Sequence, residues 1–370
     1  MLTNSEIIEL KDLFIQCCKI DNPSGNEEKM AKFVMDYLKT INIKSSIDNT
    51  KNVFCRIKGK GDSILLNAHL DSVQPCENKK PIFKNDTFKS DGETILGADD
   101  TVGIVTILFA IQYIKKYKID HKPLEILFTT GEEIGGKGVK DFNFSKIKSK
   151  VAVIPDSLGK VGELVMKSPS KYNFEIHFQG KQIHGQSADK GVSAIKMMAD
   201  LLHSLPIGKI NKNTSLNIGL LEGGESLNTV AGKARIKGSF KISSAGEIRS
   251  ENKSDAERII NLIKKEIKKV EQKYEKGKII FDYQLKRPSY NFTSSDEHIL
   301  KVKSAIQSSN IQPIEIESFG VSDANTFNER GVKAVLLGTG VKNAHTTRET
   351  LRLEDLTNLM IIIINLIRKK

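Results

Sequence analysis

The feature that most constrains the fold is a series of short apolar runs that alternate with longer helical stretches. Apolar runs of this length, bounded by glycine and polar turns, are typical of buried strands. They lie at residues 53–57, 63–68, 124–130, 151–155 and 332–337. Strands that alternate with helices, such as those expected at 102–117 and 353–368, predict an α/β fold. We expect a mixed, largely parallel sheet with helices on both faces.

Between residues 172 and 285 the pattern changes. Four apolar residues alternate strictly with polar ones, as in a strand with one buried face: Tyr172, Phe174, Ile176 and Phe178. The segments that follow indicate a helix at 194–205, strands at 214–220 and 234–242, a long charged helix at about 245–273 and a strand at 279–285. This order is that of a ferredoxin-like α+β domain. We therefore expect residues 170–286 to be inserted into a domain formed by residues 1–169 and 287–370.

The start of a helix is marked near residue 24. Ser24 and Glu27 have the spacing of a capping box. Apolar residues then recur at helical intervals from Met30 to Leu38. The sequence therefore predicts an N-terminal helix that begins at this box.

The chain has 370 residues and a formal net charge of +12, and clustered basic residues could neutralise the phosphates of a nucleic acid. The lysines are scattered, however. The densest run, residues 263–278, interleaves Glu266, Glu271 and Glu275 at helical spacing. That pattern favours a solvated helix face, so we expect no nucleic-acid partner.

Three features bear on the cellular compartment. Residues 1–12 lack the basic start and the apolar run of a secretory signal. The most apolar stretch, residues 359–367, is interrupted by Asn365 and is shorter than the roughly 18 residues that a membrane span needs, so it predicts a buried terminal helix. Four cysteines without CxxC spacing fit a reducing compartment: Cys17, Cys18, Cys55 and Cys76. We expect a cytoplasmic protein without a membrane partner.

Acidic and histidine residues follow the strand-like runs at the points where the runs end. They are His69 and Asp71, Glu132 and Glu133, Asp156, and His345, and Asp99 and Asp100 precede a helix. The C-terminal ends of parallel strands meet at one edge of a sheet, where ligands bind. Several carboxylates gathered there repel one another unless a cation neutralises them. The sequence therefore predicts a metal site at this edge.

The donor types suit Zn²⁺ or a similar ion, and a bridging aspartate would let five ligands hold two ions. The donors are His69, Asp99, Glu133, Asp156 and His345. Asp71 follows His69 by two residues and is placed to orient its imidazole. Glu132 has no ligand role and is the natural general base beside a metal-bound water.

Each of these residues also has a structural explanation when it is taken alone. Asp99 and Asp100 could form a helix N-cap. Glu132 and Glu133 could occupy the first turn of a helix, which favours negative charge. Their common location at one sheet edge is what favours the metal site.

At these residues the chain resembles the di-zinc metallopeptidase family that includes peptidase T, carboxypeptidase G and the aminoacylases. The segments that carry the resemblance are HLDS at 69–72, GADD at 97–100, TGEE at 130–133, PDS at 155–157 and AHT at 344–346. Three further segments are most similar to the peptidase T-like tripeptidase branch: GVSA at 191–194, GVSDANTF at 320–327 and GTGVKNAHTTRE at 338–349. The resemblance covers nearly the whole chain.

The resemblance implies two zinc ions bridged by Asp99, in a site that also accepts Mn²⁺ or Co²⁺. The implied ligands are His69, Asp99 and Asp156 for one ion, and Asp99, Glu133 and His345 for the other. It further implies that Glu132 is the base and that the peptide bond after Asp99 is cis although no proline follows.

In the inserted domain, His184 matches a family histidine that stabilises the tetrahedral oxyanion, often across a dimer interface. The resemblance thus implies a homodimer formed through this lid domain. Asn228 matches a substrate-contacting segment. Lys241 stands where the family has an arginine, so bidentate recognition of a carboxylate is lost. His184-Gly185-Gln186 replaces the usual His-Ala-Gly.

The expected activity is hydrolysis of short peptides by a tripeptide aminopeptidase. Asp156 supports this expectation, because aminopeptidase-like members have Asp at its position and many deacylases and carboxypeptidases have Glu. The resemblance leaves an N-acyl amino acid deacylase or a carboxypeptidase on the same metals as an alternative. A different alternative is a basic scaffold that binds a partner without turnover.

Overall fold

The computed structural model describes residues 2–211, 213–242 and 251–369. The chain divides into two compact units. The large unit comprises Met1–Met166, Phe292–Ser318 and Ser322–Lys370, and the inserted unit comprises Lys167–Asn291 and Phe319–Val321. The start of the long charged helix expected near residue 245 lies outside the described residues.

The helices are α1 (Asn4–Cys18), α2 (Glu28–Thr40), α3 (Ala98–Lys116), α4 (Lys137–Asp141), α5 (Ala194–Ser204), α6 (Glu251–Lys273), α7 (Glu297–Gln307), α8 (Asp323–Glu329) and α9 (Leu353–Ile367). The strands are β1 (Ser45–Ile47), β2 (Val53–Ile57), β3 (Ile64–His69), β4 (Ile82–Lys84), β5 (Thr87–Lys89), β6 (Leu124–Thr129), β7 (Val151–Ser157), β8 (Glu163–Ser168), β9 (Ser170–Gln179), β10 (Ile183–His184), β11 (Gly208–Asn211), β12 (Thr214–Gly223), β13 (Thr229–Val230), β14 (Lys233–Ile242), β15 (Lys278–Arg287), β16 (Tyr290–Asn291), β17 (Ile314–Glu317), β18 (Lys333–Gly338) and β19 (Thr350–Arg352). Short 3₁₀ turns lie at Phe144–Lys146 and Gly185–Lys190.

The large unit is built on one mixed sheet. Its strands run in the order β1-β2-β6-β3-β7-β18-β8, and β17 also pairs with β8. Strand β3 is parallel to β6 and β7, and β7 is parallel to β18, whereas β2 and β8 are antiparallel to their neighbours. The central strands β3 and β6 are buried along their whole length, which explains their continuous apolar sequence. The α/β fold predicted from the sequence is confirmed.

Helices cover both faces of this sheet. Helices α1, α2, α3, α7 and α9 share one apolar core with inward residues of the strands, such as Leu66 and Val153. Successive strand residues point to opposite faces, and Leu65 and Ile154 are buried on the other face, where α8 packs against β18. Within the part of the chain that the structure describes, no helix is both long enough and apolar enough to cross a membrane.

The inserted unit is an α+β sandwich. Its sheet runs in the order β11-β12-β14-β9-β15 and is antiparallel throughout. Helices α5 and α6 share an apolar core with inward residues of the sheet, among them Phe174, Ile176 and Phe178. The chain order β9-α5-β12-β14-α6-β15 is the ferredoxin-like order that the sequence predicted, with β11 as an additional edge strand.

The capping box predicted at the start of α2 is wrong. Helix α2 begins at Glu28, and no side-chain hydrogen bond caps it. The Ser24 hydroxyl instead donates to Asp71 Oδ2 at 2.7 Å, and Glu27 Oε1 accepts from the Gly131 N–H at 3.0 Å. Ser24 and Glu27 therefore have the spacing of a helix cap but bind segments that are distant in the sequence.

Candidate metal centre

Neighbouring strands deliver several of the candidate ligands to one edge of the large unit's sheet. His69 is the last residue of β3, and Asp156 lies near the end of β7. Glu132 and Glu133 follow the end of β6 at Thr129. Because β3 lies between β6 and β7 and is parallel to both, these side chains lie at the same edge.

The first group of possible ligands consists of His69, Asp99 and Asp156. His69 Nε2 lies 3.2 Å from Asp99 Oδ1 and 3.6 Å from Asp156 Oδ1. The three residues each offer one ligand atom, and these atoms lie within 4.8 Å of one another. His69 is only 3% exposed, so this group is shielded from bulk water.

The second group consists of Asp99, Glu133 and His345. His345 Nε2 lies 2.8 Å from Glu133 Oε1 and 3.1 Å from Asp99 Oδ2. The two carboxylate oxygens of Asp99 therefore face different histidines. Oδ1 lies beside His69 of the first group, and Oδ2 lies beside His345 of the second group. A carboxylate in this arrangement can bridge two cations.

The charges of the two groups fit a divalent cation. Burial raises the pKa of Asp156 to about 7, and the charges of Asp99 and Glu133 add to this, although the hydrogen bond to His69 opposes it. Hydrogen bonds to Asp99 and Glu133 raise the pKa of His345 to about 10. Protons thus compensate for the crowded carboxylates in the metal-free protein. A cation bound by the same oxygen and nitrogen atoms would replace these protons.

Asp71 contacts both the His69 ring and the backbone of Glu132 and Glu133. Its Oδ1 accepts from the Glu132 N–H at 2.9 Å, and its Oδ2 accepts from the Glu133 N–H at 3.1 Å. Its carbonyl oxygen lies 2.9 Å, and its Oδ1 3.4 Å, from His69 Nδ1. Asp71 therefore holds the backbone of both glutamates and the orientation of the His69 ring at the same time.

Glu132 lies beside the ligands without belonging to either group around Asp99. One of its carboxylate oxygens lies within 4.8 Å of a ligand atom of His69 and of Glu133. The residue is half-buried, so water can reach it. This position suits a group that exchanges protons with a molecule bound at the centre.

Glu349 is a buried carboxylate for which the sequence indicated no role. Its Oε2 accepts from the Gly97 N–H at 2.7 Å, and its Oε1 accepts from the Asp99 N–H at 3.1 Å. Burial and the charge of Asp99 raise the pKa of Glu349 to about 7. Its position four residues after His345 was the available signal, but backbone partners cannot be read from a sequence.

Asp100 holds the backbone of His69 in place. Its Oδ2 accepts from the His69 N–H at 3.3 Å, and its Oδ1 accepts from the Gly103 N–H at 3.0 Å. A side chain at Gly103 would place its Cβ 2.5 Å from Asp100 Oδ2, so glycine is required there. The Asp99–Asp100 peptide bond is cis, as predicted.

Two of the site residues expected in the inserted unit lie together. His184 on β10 pairs with Thr229 on β13. The Gly185 N–H donates to the Asn228 carbonyl oxygen at 2.7 Å. The side chain of His184 is exposed, so it is available to another molecule.

Lys241 lies elsewhere in the inserted unit. It is near the end of β14, directly opposite Lys171 on β9. Burial lowers the pKa of Lys241, and the charge of Lys171 lowers it further. An anion bound here would relieve this repulsion.

A family model described as peptidase family M20/M25/M40 matches residues 65–369. This chain belongs to peptidase family M20/M25/M40. The matched range contains every residue of the two groups around Asp99. The family that the sequence motifs indicated is thereby confirmed.

Individual relatives agree with this assignment. The protein YqjE of Bacillus subtilis is 28% identical, over 97% of this chain and 98% of its own. Peptidase T of Geobacillus is 27% identical, over 84% of this chain and 75% of its own. The crystal structure of aminopeptidase PepT from Bacillus cereus has a TM-score of 0.85 and 28% identity, and 98% of each chain is covered. This M20 chain is a peptidase T-like, metal-dependent hydrolase.

Proposed function

We propose that this M20 enzyme is an aminopeptidase that cleaves short peptides, with tripeptides as the main substrates, and that it uses two divalent cations. The observation that carries the proposal is the position of Asp99, whose Oδ1 lies 3.2 Å from His69 Nε2 and whose Oδ2 lies 3.1 Å from His345 Nε2. The likeness to proteins named peptidase T and aminopeptidase supports the substrate class.

The two groups around Asp99 would each hold one cation. The ligands would be His69, Asp99 and Asp156 for one, and Asp99, Glu133 and His345 for the other. Such cations lower the pKa of a coordinated water and polarise a carbonyl oxygen. The mixed nitrogen and oxygen donors suit Zn²⁺, and they also accept Mn²⁺ or Co²⁺.

Glu132 is the proposed general base. Its carboxylate takes a proton from the attacking water and then donates it to the leaving amine. The hydrogen bond from its N–H to Asp71 Oδ1 fixes the backbone from which this side chain extends. Asp71 also orients His69, so one carboxylate positions both a base and a ligand.

Three roles in the inserted unit rest on the family resemblance. His184 would stabilise the oxyanion, and Asn228 and Lys241 would contact the substrate. The unit would act as a lid and form the interface of a homodimer. We further propose a cytoplasmic location, supported by four buried cysteines that form no disulfide.

The homodimer has a direct test. Glu132→Gln and His184→Ala chains, each inactive alone, are mixed after light scattering has shown a dimer. If His184 acts on the partner subunit's substrate, one site of each mixed dimer has both groups intact and activity returns. A monomer in solution contradicts the dimer, and mixed dimers that stay inactive show that His184 acts within its own chain or has no role.

A carboxypeptidase or N-acyl amino acid deacylase is the second candidate function. The observation that favours it is the half-buried Lys241 opposite Lys171, which could bind a substrate carboxylate. These enzymes accept substrates with a blocked N-terminus, whereas an aminopeptidase requires a free one. The blocked peptide therefore separates the two functions.

The experiment that tests the proposed function is product analysis by mass spectrometry with one tripeptide and its N-acetylated form. The metal-loaded wild type is compared with Glu132→Gln and with Glu9→Gln, which alters an exposed glutamate of α1. We expect the wild type and Glu9→Gln to cleave only the free tripeptide and Glu132→Gln to cleave neither. Cleavage of the acetylated peptide would identify a deacylase if acetate is released, or a carboxypeptidase if the C-terminal residue is. Cleavage of neither by the wild type would contradict the proposal and favour the non-catalytic scaffold.

A further inference from the structure

A cavity of about 240 Å³ opens in the large unit at the N-terminal ends of the parallel strands. Its apolar wall consists of Ile64 and Val151, which begin β3 and β7, with Val302 of α7 and Leu366 of α9. Because β3 starts at Ile64 and ends at His69, about 17 Å of strand separates this cavity from the metal centre. The cavity is therefore distinct from the site described above.

His298 lines this cavity and is 3% exposed. Its ring packs edge-on against Phe292, with centroids 4.5 Å apart. Neither Nδ1 nor Nε2 has a hydrogen-bond partner within the described residues. Buried polar atoms almost always have a partner, so we expect the ring nitrogens of His298 to form a hydrogen bond with a ligand that the chain itself does not supply.

Four lysines surround the same cavity: Lys60, Lys122, Lys301 and Lys369. Asp62 is the one acidic residue of the lining. Lys122 is half-buried, and its Nζ donates to the Leu366 carbonyl oxygen at 2.8 Å, which holds its charge at the cavity wall. The lining is therefore positive, and a negatively charged ligand is favoured.

Nearby carboxylates do not remove this preference. Lys60 pairs with Asp120 at 3.4 Å and Lys301 pairs with Glu297 at 2.7 Å, but all four side chains are at least half exposed. Such pairs are weak in water, so a ligand can compete for both lysines at little cost.

We propose that this cavity binds a small aliphatic carboxylate. The carboxylate group contacts His298 and Lys122, and the aliphatic body packs against the apolar wall. The volume lies below the roughly 300–1,000 Å³ of pockets for drug-sized ligands, so the ligand is small. Burial and the charge of Lys333 lower the pKa of His298, and the neutral ring then offers one N–H donor to the carboxylate.

Two kinds of molecule share this chemistry. A simple aliphatic acid has the carboxylate and the apolar body alone, and a free aliphatic amino acid has an ammonium group in addition. Asp62 is the acidic group of the lining that could receive an ammonium group. Measuring the binding of both ligand types to the wild type and to an Asp62 variant shows which of the two the cavity prefers.

The test is calorimetric titration of the full-length, metal-loaded protein with 4-methylpentanoate, L-leucine and inorganic phosphate. The variants are His298→Leu and Lys122→Gln, and the matched control is Lys58→Gln, an exposed lysine outside the lining of this cavity. We expect at least one of the two carboxylates to bind the wild type and the control equally. Both cavity variants should weaken this binding at least tenfold, and none of the three should change kcat for peptide hydrolysis.

The outcomes separate clearly. If L-leucine binds more tightly than 4-methylpentanoate, and Asp62→Asn removes this difference in affinity, the ligand is a free amino acid. If 4-methylpentanoate binds more tightly, the ligand is a simple aliphatic acid. Binding of phosphate alone would overturn the aliphatic part of the proposal. No binding of either carboxylate by the wild type, or equal binding by all variants, would overturn the site itself. If His298→Leu does not fold, Lys122→Gln, which alters another residue of the lining, gives the same decision.

Discussion

The two ends of the parallel strands in the large unit differ in charge and in how their polar groups are paired. At the C-terminal ends, carboxylates such as Asp99 and Asp156 crowd around two histidines. At the N-terminal ends, lysines surround an apolar cavity, and the buried His298 has no hydrogen-bond partner within the described residues. The net charge of +12 therefore agrees in sign with the N-terminal ends and not with the C-terminal ends.

A missing ligand is thus indicated by a different structural signal at each end. At the C-terminal ends the signal is a group of buried carboxylates, because burial, with a smaller contribution from the charges of Asp99 and Glu133, raises the pKa of Asp156 to about 7. At the N-terminal ends the signal is an unmet hydrogen-bonding group. The C-terminal ends therefore favour a bound cation, and the N-terminal ends favour an anion that can form hydrogen bonds. Substitutions at the two ends should have different consequences.

The largest expected effect separates two adjacent residues at the C-terminal ends. Glu132→Gln should lower kcat about 10²–10⁴-fold, because the general base is lost, while the metal content stays unchanged. Glu133→Gln should lower both kcat and the metal content, because an amide is a poorer ligand than a carboxylate. Steady-state kinetics and elemental mass spectrometry on the same samples measure both quantities. Glu132→Gln with wild-type kcat and full metal content contradicts the role of Glu132.

Asp71→Asn should have the next largest effect. An Asn side chain cannot accept hydrogen bonds at both oxygen positions, so one of the N–H groups of Glu132 and Glu133 loses its acceptor. We expect a loss of about 10–100-fold in metal affinity, measured by competition with a chelator. The control is Asp91→Asn, because Asp91 accepts two backbone N–H groups on a loop with Oδ1 alone, so an amide oxygen there can still accept both. Equal losses in both variants would show a general effect on folding.

Metal binding at the C-terminal ends should depend on pH. In the metal-free protein, folding raises the pKa of Asp156 from 3.8 to about 7 and that of His345 from 6.5 to about 10. A group with a raised pKa stabilises the fold below its unfolded pKa, and this stabilisation is lost as the pH rises through the folded value. Asp156 therefore loses it between about pH 4 and 7, and His345 between about pH 6.5 and 10.

Bound cations require the deprotonated forms of both groups. Saturating zinc should therefore raise the Tm more at pH 8 than at pH 6, as measured by differential scanning calorimetry. In His345→Asn the difference between the two pH values should be smaller. A larger rise at pH 6 in the wild type would contradict the proposed ligands.

The smallest expected effect is at the N-terminal ends. His298→Leu should leave kcat unchanged and leave the free energy of unfolding equal or higher, because it removes two buried polar atoms that lack partners. Urea denaturation without added ligand measures this. A clear destabilisation would show that His298 already has a stabilising partner.

Elements with a strong local pattern could be predicted from the sequence. Strand β2 has the predicted bounds, Val53–Ile57, and helix α5 begins at the predicted Ala194. Continuous apolar runs and helical periodicity are local properties, and strand ends follow from them. For the same reason the sequence indicated which carboxylates and histidines meet at one edge.

Contacts between distant segments could not be predicted. Ser24 and Glu27 have the spacing of a helix cap, but Ser24 instead donates to Asp71. Glu349 accepts from the backbone N–H groups of Gly97 and Asp99, and no side-chain pattern records such a contact. His298 was missed because a missing hydrogen-bond partner is visible only once the fold has placed its neighbours.

The most direct test of the two-cation centre is anomalous X-ray diffraction from crystals of the zinc-loaded protein. We expect two zinc peaks on either side of Asp99, one bound by His69 and Asp156 and the other by Glu133 and His345. A single fully occupied peak, or peaks that do not contact Asp99, would contradict the two-cation centre.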